Sequence, residues 1–370
     1  MLILEKRLAI LEERKTMKKR TTLQEVAQAV GVSVGTVHKA LYDKPGVSSC
    51  VRAEILRQAQ ELGYKTPRPN LSLRKAPVHI AVAFPALQGE NAFFYSELYK
   101  GYQDCLSDLG PYPLQITELS YQGDADQCFA AQMKSLLRRT DGHVDGLLTG
   151  GRIFQRDYAF LKRLALGGLA VVLVGDEVPD VPCLCSVKTD FRLEGMLAAE
   201  ILTSRIPAGK KMLVCTGDSG LPSNRESAAG FEAYLRENGC KHPLYKLAGY
   251  EAGDNLYERA IDVLAADPEV RGLYSVNLRN SLLLARAVEQ QGLAGAVSLV
   301  GSDLCPASAQ YLRRELFANI ITKQPRQQGR IGAKRLTDYL LHGRLPAEKT
   351  ECLKSAVIFR SNLGQYEPDI

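Results

Sequence analysis

The sequence predicts a small all-α head followed by an α/β body built from two doubly wound parallel-sheet units. Three observations predict it. Residues 22–41 read as helix, tight Gly-containing turn, helix. From Val78 onward, strand-like apolar runs alternate with helical patterns, and such alternation implies parallel sheets covered on both faces. Ten strands can be discerned, and they divide better between two units than they fit one. The chain has 370 residues, of which 45% are hydrophobic and 24% charged, enough for two or three domains with sizeable cores.

The head comes first. Thr22 can cap a helix, and Glu25 three residues on completes a capping box. Val26, Ala27 and Val30 form its apolar stripe. Gly31-Val32-Ser33 breaks the helix, and Ser33 can cap a second one with Val37, Ala40 and Leu41 on its inner face. Ser48 can cap a third helix, along which Val51, Ile55, Ala59 and Leu62 recur before Gly63. An ordinary helical hairpin is the competing reading of the first two helices. Three helices in about 45 residues can close a small core.

Charge separates the two parts. Residues 1–75 hold 15 Lys and Arg against 7 Asp and Glu, whereas the remainder holds 32 against 34. A basic head on a nearly neutral body suits a protein whose head alone meets phosphate. No apolar run is long enough to span a bilayer. Glu5, Lys6 and Arg7 interrupt the first apolar run, so no signal peptide is expected and the expected location is cytoplasmic. The nine cysteines are scattered, and reduced thiols are expected. No P-loop, G-x-G-x-x-G or H-E-x-x-H occurs, and the five histidines stand in no metal-ligand spacing. Neither a catalytic set, a metal site nor a cofactor is expected.

The head carries T-L-x-x-V-A from Thr22, G-V-S-x-x-T-V from Gly31, Val47-Ser48, Arg52 and Leu62-Gly63-Tyr64. In these residues it resembles the LacI/GalR family of bacterial transcription regulators. The resemblance implies that the second helix enters the DNA major groove. Its DNA-facing residues would be Thr22, Ser33, Val34, Gly35, Thr36, His38 and Lys39. The family commonly has Ser-Arg where this chain has His38-Lys39, so a different operator is expected. Val34 and Gly35 cannot hydrogen-bond to bases, although Val34 could touch a thymine methyl, which leaves hydrogen-bonded readout to Thr36, His38 and Lys39, with a phosphate contact as the alternative for His38. Lys19 and Arg20, with Lys18, form a basic arm fit for phosphate. Residues 1–16 precede the family's usual start; they are an upstream-start artefact or a short amphipathic helix. In the linker, Pro69-Asn70 resembles the opening of the family's hinge helix, and Leu71 or Leu73 would be the minor-groove wedge. That match lies two residues further from Tyr64 than usual.

In the body, strands are expected at 79–84, 114–118, 144–149, 170–175, 184–187, 211–216, 245–248, 272–276, 297–301 and 319–322. Helices are expected at 96–109, 127–139, 191–204, 226–238, 256–266, 282–291 and 327–341. The ordered pieces Gly101, Val144-Asp145-Gly146, Asp190 with Gly195, Arg225 with Gly230-Phe231, Val300-Gly301-x-Asp303 and Gln324-Pro325 resemble the periplasmic-binding-protein fold. That fold has two lobes joined by three crossings, expected near Val187, Ala318 and Leu345. The expected organisation is an extension and arm at 1–20, a helix-turn-helix domain at 21–64, a linker at 65–77 and a ligand-binding body at 78–360. Lobe 1 would hold about 78–187 and 318–344, and lobe 2 about 188–317 and 345–360.

Ligands of parallel sheets sit beyond the carboxyl ends of the strands. The residues there are Phe93 and Phe94 after the first strand, Arg152, Asp176, Arg225, Asn277, Asp303 and Gln324. Charged and amide groups converging on an aromatic face suit a hydroxyl-rich molecule, with Arg225 and Asp303 as its principal holders. The family often has Ala-Asn-Asp where this chain has Val276-Asn277-Leu278. The expected protein is a homodimeric, ligand-responsive DNA-binding regulator, in the sense of a repressor, with operator DNA and a sugar-like effector as partners and no membrane. The alternative is a sugar-binding protein without regulatory DNA binding; a sugar-converting enzyme lacks its catalytic set.

Overall fold

The computed structural model describes residues 22–41, 46–62, 77–88, 92–109, 112–150, 153, 155–249 and 255–366. The expectations for residues 1–16, Lys19, Arg20, Asn70, Leu71 and Arg152 lie outside these residues. The head lies within the first 75 residues, and the body begins at Ala76.

The head is three helices: α1 (Leu23–Val30), α2 (Val34–Leu41) and α3 (Ser49–Glu61). Local chemistry starts each of them. The Thr22 hydroxyl accepts the Glu25 N–H at 3.3 Å, while the Glu25 carboxylate accepts the Thr22 N–H at 2.7 Å. Gly31 ends α1 in the left-handed region at φ 72°, where a side chain would be strained. Ser33 Oγ accepts the Thr36 N–H at 3.1 Å, and Ser48 Oγ accepts the Val51 N–H at 3.4 Å. Val26, Ala27, Val37, Ala40, Leu41, Ile55 and Ala59 close the core. Val51 and Leu62, expected on its inner face, are exposed instead. Arg52 ties α3 to α2 by donating to the Ala40 carbonyl at 3.3 Å.

The first lobe is a six-stranded parallel sheet. Its strands are β1 (Val78–Pro85), β2 (Leu114–Tyr121), β3 (Gly146–Gly150), β4 (Ala170–Val174), β5 (Cys185–Thr189) and, from the far end of the chain, β11 (Thr350–Leu353). Their order is β11-β5-β4-β3-β1-β2. β3 and β4 are buried along their whole length, so they read as unbroken apolar runs. Helices α4 (Ala92–Asp108), α5 (Phe129–Arg139), α6 (Gln155–Leu166) and α12 (Pro325–His342) belong to this lobe.

The second lobe has the order β12-β10-β9-β8-β6-β7. Its strands are β6 (Lys211–Cys215), β7 (Leu244–Leu247), β8 (Val270–Ser275), β9 (Ser298–Ser302), β10 (Asn319–Thr322) and β12 (Ala356–Ile358), with only β12 antiparallel to its neighbour. Its helices are α7 (Phe191–Arg205), α8 (Pro222–Glu237), α9 (Leu256–Ala266), α10 (Leu278–Gln290) and α11 (Pro306–Arg313).

Two expected crossings move. β10 pairs with β9 in lobe 2, so the second crossing follows Thr322 rather than lying near Ala318. β11 pairs with β5 in lobe 1, so the third lies between Leu353 and Ala356 rather than near Leu345. The second moves because β10 extends the lobe 2 sheet beside β9; the third moves because of two short strands, β11 and β12, whose partners are distant in sequence.

Each lobe has one helix pair locked by glycines. A Cβ on Gly101 of α4 would stand 2.0 Å from the Arg326 carbonyl oxygen on α12, and one on Gly329 would stand 2.2 Å from that of Leu98. In lobe 2, a Cβ on Gly195 of α7 would stand 1.9 Å from the Ser227 oxygen on α8, and one on Gly230 would stand 2.0 Å from that of Arg192. Only hydrogen fits at these approaches. They fix where the amino ends of α7 and α8 point, and both ends open on the cleft between the lobes.

Candidate functional site

The head offers one surface. On α2 the residues Val37, Ala40 and Leu41 face inward, which turns Val34, Gly35 and Lys39 to solvent; Val34 is 42% exposed. His38 sits on the same helix beside Lys39. Thr36 is half-buried, and its hydroxyl shares a 2.9 Å hydrogen bond with Ser33 Oγ. Thr22 and Ser33, both exposed, start the two helices. The exposed face of α2 thus carries small, hydroxyl and basic groups.

The body offers a cleft, partly open to solvent, at the carboxyl ends of the strands of both lobes. Lobe 1 supplies Phe94, Tyr95, Gly150, Gly175 and Asp176; lobe 2 supplies Phe191, Asp218, Ser223, Asn224, Asn277, Arg279, Asp303 and Lys323. Apolar walls come from Val174, Leu221, Val276 and Leu278.

Two polar devices dominate it. The first joins the lobes. Asp176, just beyond β4, accepts the Ser223 N–H on Oδ1 at 2.8 Å and the Ser223 hydroxyl on Oδ2 at 2.7 Å. Ser223 stands at the start of α8. Desolvation of the enclosed carboxyl raises the Asp176 pKa, against the lowering effect of those bonds. The second device is a buried ion pair. Lys323 Nζ lies 3.3 Å from Asp303 Oδ2 and donates to the Val276 carbonyl at 3.0 Å, while the Lys323 N–H donates to Asp303 Oδ1 at 2.9 Å. Asp303 adopts φ 62°, a left-handed conformation that Asp tolerates better than most residues. Burial alone would lower the Lys323 pKa, but the charges of Asp303 and Glu194, with the Asp303 hydrogen bond, carry it upward.

Behind the cleft the three crossings are bound together. Glu194, 2% exposed near the start of α7, accepts hydrogen bonds from Thr189 Oγ1 at the first crossing and Ser355 Oγ at the third, the latter at 2.8 Å. Gln324 at the second crossing donates to the Lys354 carbonyl at the third. Burial raises the Glu194 pKa, opposed by Lys323 and these hydroxyls.

Of the expected ligand residues, the structure brings Phe94, Asp176, Asn277 and Asp303 to the cleft. It does not bring Phe93, Arg225 or Gln324. The Phe93 ring lies under the Lys100 ammonium at 5.9 Å. Arg225 lines a separate depression with Arg192, Arg236 and Glu232, and donates to the Ser219 carbonyl at 3.3 Å. Gln324 is spent on the crossing. Asn277 works partly for its own helix, since its Oδ1 caps α10 on the Asn280 N–H at 2.9 Å. Sequence reasoning missed Lys323, Ser223 and Asn224. Lys323 directly precedes Gln324 and follows the end of β10, so strand-end reasoning came one residue from it. Among the described residues, no group of three or more His, Cys, Asp or Glu is placed to hold a metal ion.

Comparison with known proteins follows the same division. The family model described as "Periplasmic binding protein domain" matches residues 80–344, and "Bacterial regulatory proteins, lacI family" matches residues 22–67. The HTH-type transcriptional regulator GntR of Escherichia coli K12 is 25% identical over 330 residues, covering 86% of this chain and 92% of that protein. The catabolite control protein A of Priestia megaterium is 22% identical over 292 residues, covering 76% and 82%. Among solved structures, a solute-binding protein from Agrobacterium vitis bound with α-D-tagatopyranose superposes with a TM-score of 0.66 at 20% identity, covering 77% of this chain and 96% of that one. At that identity the likeness speaks for the fold.

Proposed function

The chain belongs to the lacI family of bacterial regulatory proteins and carries a periplasmic binding protein domain as its body, and on that premise we propose how its parts divide the work. It is a DNA-binding transcriptional regulator with a ligand-binding body. In our reading α2 enters the major groove, with Val34, Thr36, His38 and Lys39 meeting base edges and Thr22 and Ser33 meeting phosphate. Lys19 and Arg20 would add phosphate contacts, and Asn70 and Leu71 would work in the minor groove. The effector is a sugar or similar polyol held in the cleft, as the tagatopyranose of the Agrobacterium vitis protein suggests for this fold. A homodimer sets two α2 helices on successive major grooves of a near-palindromic operator in the cytoplasm. The regulator acts as a repressor. No catalytic step is assigned to the cleft.

One observation carries this reading: the Asp176–Ser223 bond pair joins the lobes across the cleft. A molecule seated there makes different contacts when the lobes are closed and when they part. That difference in affinity is what couples a ligand to a conformational equilibrium.

The test is a gel shift of the full chain on DNA from upstream of its own gene, with a panel of sugars and polyols added. We expect a shifted band that weakens steeply with salt, because each neutralised phosphate releases counterions, and one compound that changes it. Lys39→Ala should narrow the preference for that DNA over random sequence. Equal binding of the wild type to both DNAs would refute the assignment.

A further inference from the structure

The charge of the effector follows from how the cleft's helix ends are used. We propose that the cleft selects uncharged polyhydroxylated molecules over sugar acids and sugar phosphates, and that Asp176 is the residue that sets this preference. The inference rests on the cleft being the effector site.

Carboxylates and phosphates are usually bound at helix amino termini, where the first N–H groups lack intrahelical acceptors and the helix dipole is positive. Helices α7 at Phe191, α8 at Pro222 and α10 at Leu278 begin at this cleft. At each of them a protein side chain already takes an N–H of the first turn; at α7 it is Asp190, which accepts the Leu193 N–H at 2.9 Å. At α8, Pro222 has no N–H to offer. Ser223, next in line, gives both its N–H and its hydroxyl to the Asp176 carboxylate, at 2.8 and 2.7 Å. Asp176 therefore occupies the place an anionic ligand would take, and it does so from the opposite lobe. At α10, the Asn277 side chain takes the Asn280 N–H at 2.9 Å.

The side-chain charges point the same way. Among the described residues the lining holds three carboxylates, Asp176, Asp218 and Asp303, against two cations, Lys323 and Arg279. Lys323 is committed to Asp303 and to the Val276 carbonyl. Arg279 donates to Asn280 Oδ1 at 3.1 Å. Among the described residues, an anion entering this lining meets a surplus carboxylate, and at the starts of α7, α8 and α10 a protein oxygen that already holds one of the N–H groups it would use. Hydroxyl groups face no such opposition. They can donate to the second lone pairs of Asp218 and Asp303, and accept from the remaining Lys323 N–H. Phe94 and Phe191 offer apolar faces for the ring.

The experiment is calorimetric titration of the full chain with neutral aldoses, ketoses and inositols, and with the aldonate, uronate and phosphate counterparts of each. The expected result is that a neutral compound binds best and its anionic counterparts bind at least tenfold more weakly. Asp176→Ser uncaps α8 and removes a carboxylate, so the neutral-to-anionic ratio should fall by about tenfold or more. Ser223→Ala keeps the carboxylate and the backbone N–H, so it should weaken both classes alike and leave the ratio unchanged. If Asp176 mattered only for holding the lobes together, Asp176→Ser would also leave the ratio unchanged, which would overturn its role. An anion that binds the wild type as tightly as its neutral counterpart, and is lost in Phe94→Ala, would overturn the selectivity while the cleft reading stood. Binding of the best compound that survives Phe94→Ala unchanged, or no binding in either set, would remove the cleft reading and the selectivity with it.

Discussion

Asp303→Ala deletes two of the three acceptors of Lys323 in one step: Oδ1, which takes its backbone N–H, and Oδ2, which pairs with its ammonium. Lys323 is 7% exposed and Asp303 3%, so water cannot substitute freely. The ammonium would keep the Val276 carbonyl at 3.0 Å and the charges of Glu194 and Asp176, with no carboxylate paired to it directly. Breaking one side of a buried pair costs about 3–5 kcal/mol, because an uncompensated charge is left inside. For a body of this size each kcal/mol lowers Tm by roughly 2 °C, so a fall of about 6 °C or more is expected. Adding Lys323→Met removes the stranded charge and should restore more than half of the loss. Urea and thermal melts of the full chain, followed by circular dichroism through the body's transition, measure both variants. An Asp303→Ala melt within about 1 kcal/mol of wild type, or a double variant no more stable than the single one, would refute the reasoning. The outcome also decides how effector data are read. A silent Asp303→Ala regulator would reflect a disturbed lobe as much as a lost hydroxyl contact, so Phe94→Ala is the cleaner probe of the cleft.

Gly195→Ala should destabilise the second lobe by about 1–3 kcal/mol or more, since its Cβ would lie 1.9 Å from the Ser227 carbonyl oxygen and 2.7 Å from the Phe231 nitrogen, both backbone atoms. Calorimetric titration should show weaker effector binding as well, because the separated α8 carries Ser223 with it; unchanged Tm would show that the helices part without cost. Glu194→Gln should flatten the dependence of Tm on pH. Burial raises the Glu194 pKa above its ordinary 4.5, so the folded state holds this proton more tightly than the unfolded chain. Its contribution to stability is therefore present at low pH and lost as pH rises above 4.5 through the folded value. Gln cannot ionise, yet it still accepts from Thr189 and Ser355. Parallel Tm profiles for the two proteins would show that Glu194 does not titrate in that window.

The head was legible because its determinants are local. Thr22 and Glu25, Ser33 and Thr36, and Ser48 and Val51 are each three residues apart, and their bonds form wherever the helix does. All ten expected strands of the body occur, since strands buried on both faces announce themselves as apolar runs. β11 and β12 escaped because they have four and three residues and draw their stability from β5 and β10 across the fold. Helices α6 and α11 were also passed over.

By itself, then, the sequence determined the helix starts of the head, the strand-helix alternation of the body and which loops end on strand tips. Tertiary structure decided which side chains those loops deliver. Ser223 and Arg225 stand two residues apart near the start of α8, a rotation of about 200° at 3.6 residues per turn. Ser223 therefore faces the cleft and Asp176, while Arg225 lines the depression beside Arg192. Gln324 was expected at the cleft, but Lys323 one residue earlier reaches it, because Gln324 turns at φ 53° toward Lys354. The partners of Ser223 and Lys323 lie 47 and 20 residues away. Strand periodicity says where a strand ends; the direction of each side chain beyond it depends on neighbours that only the folded chain assembles.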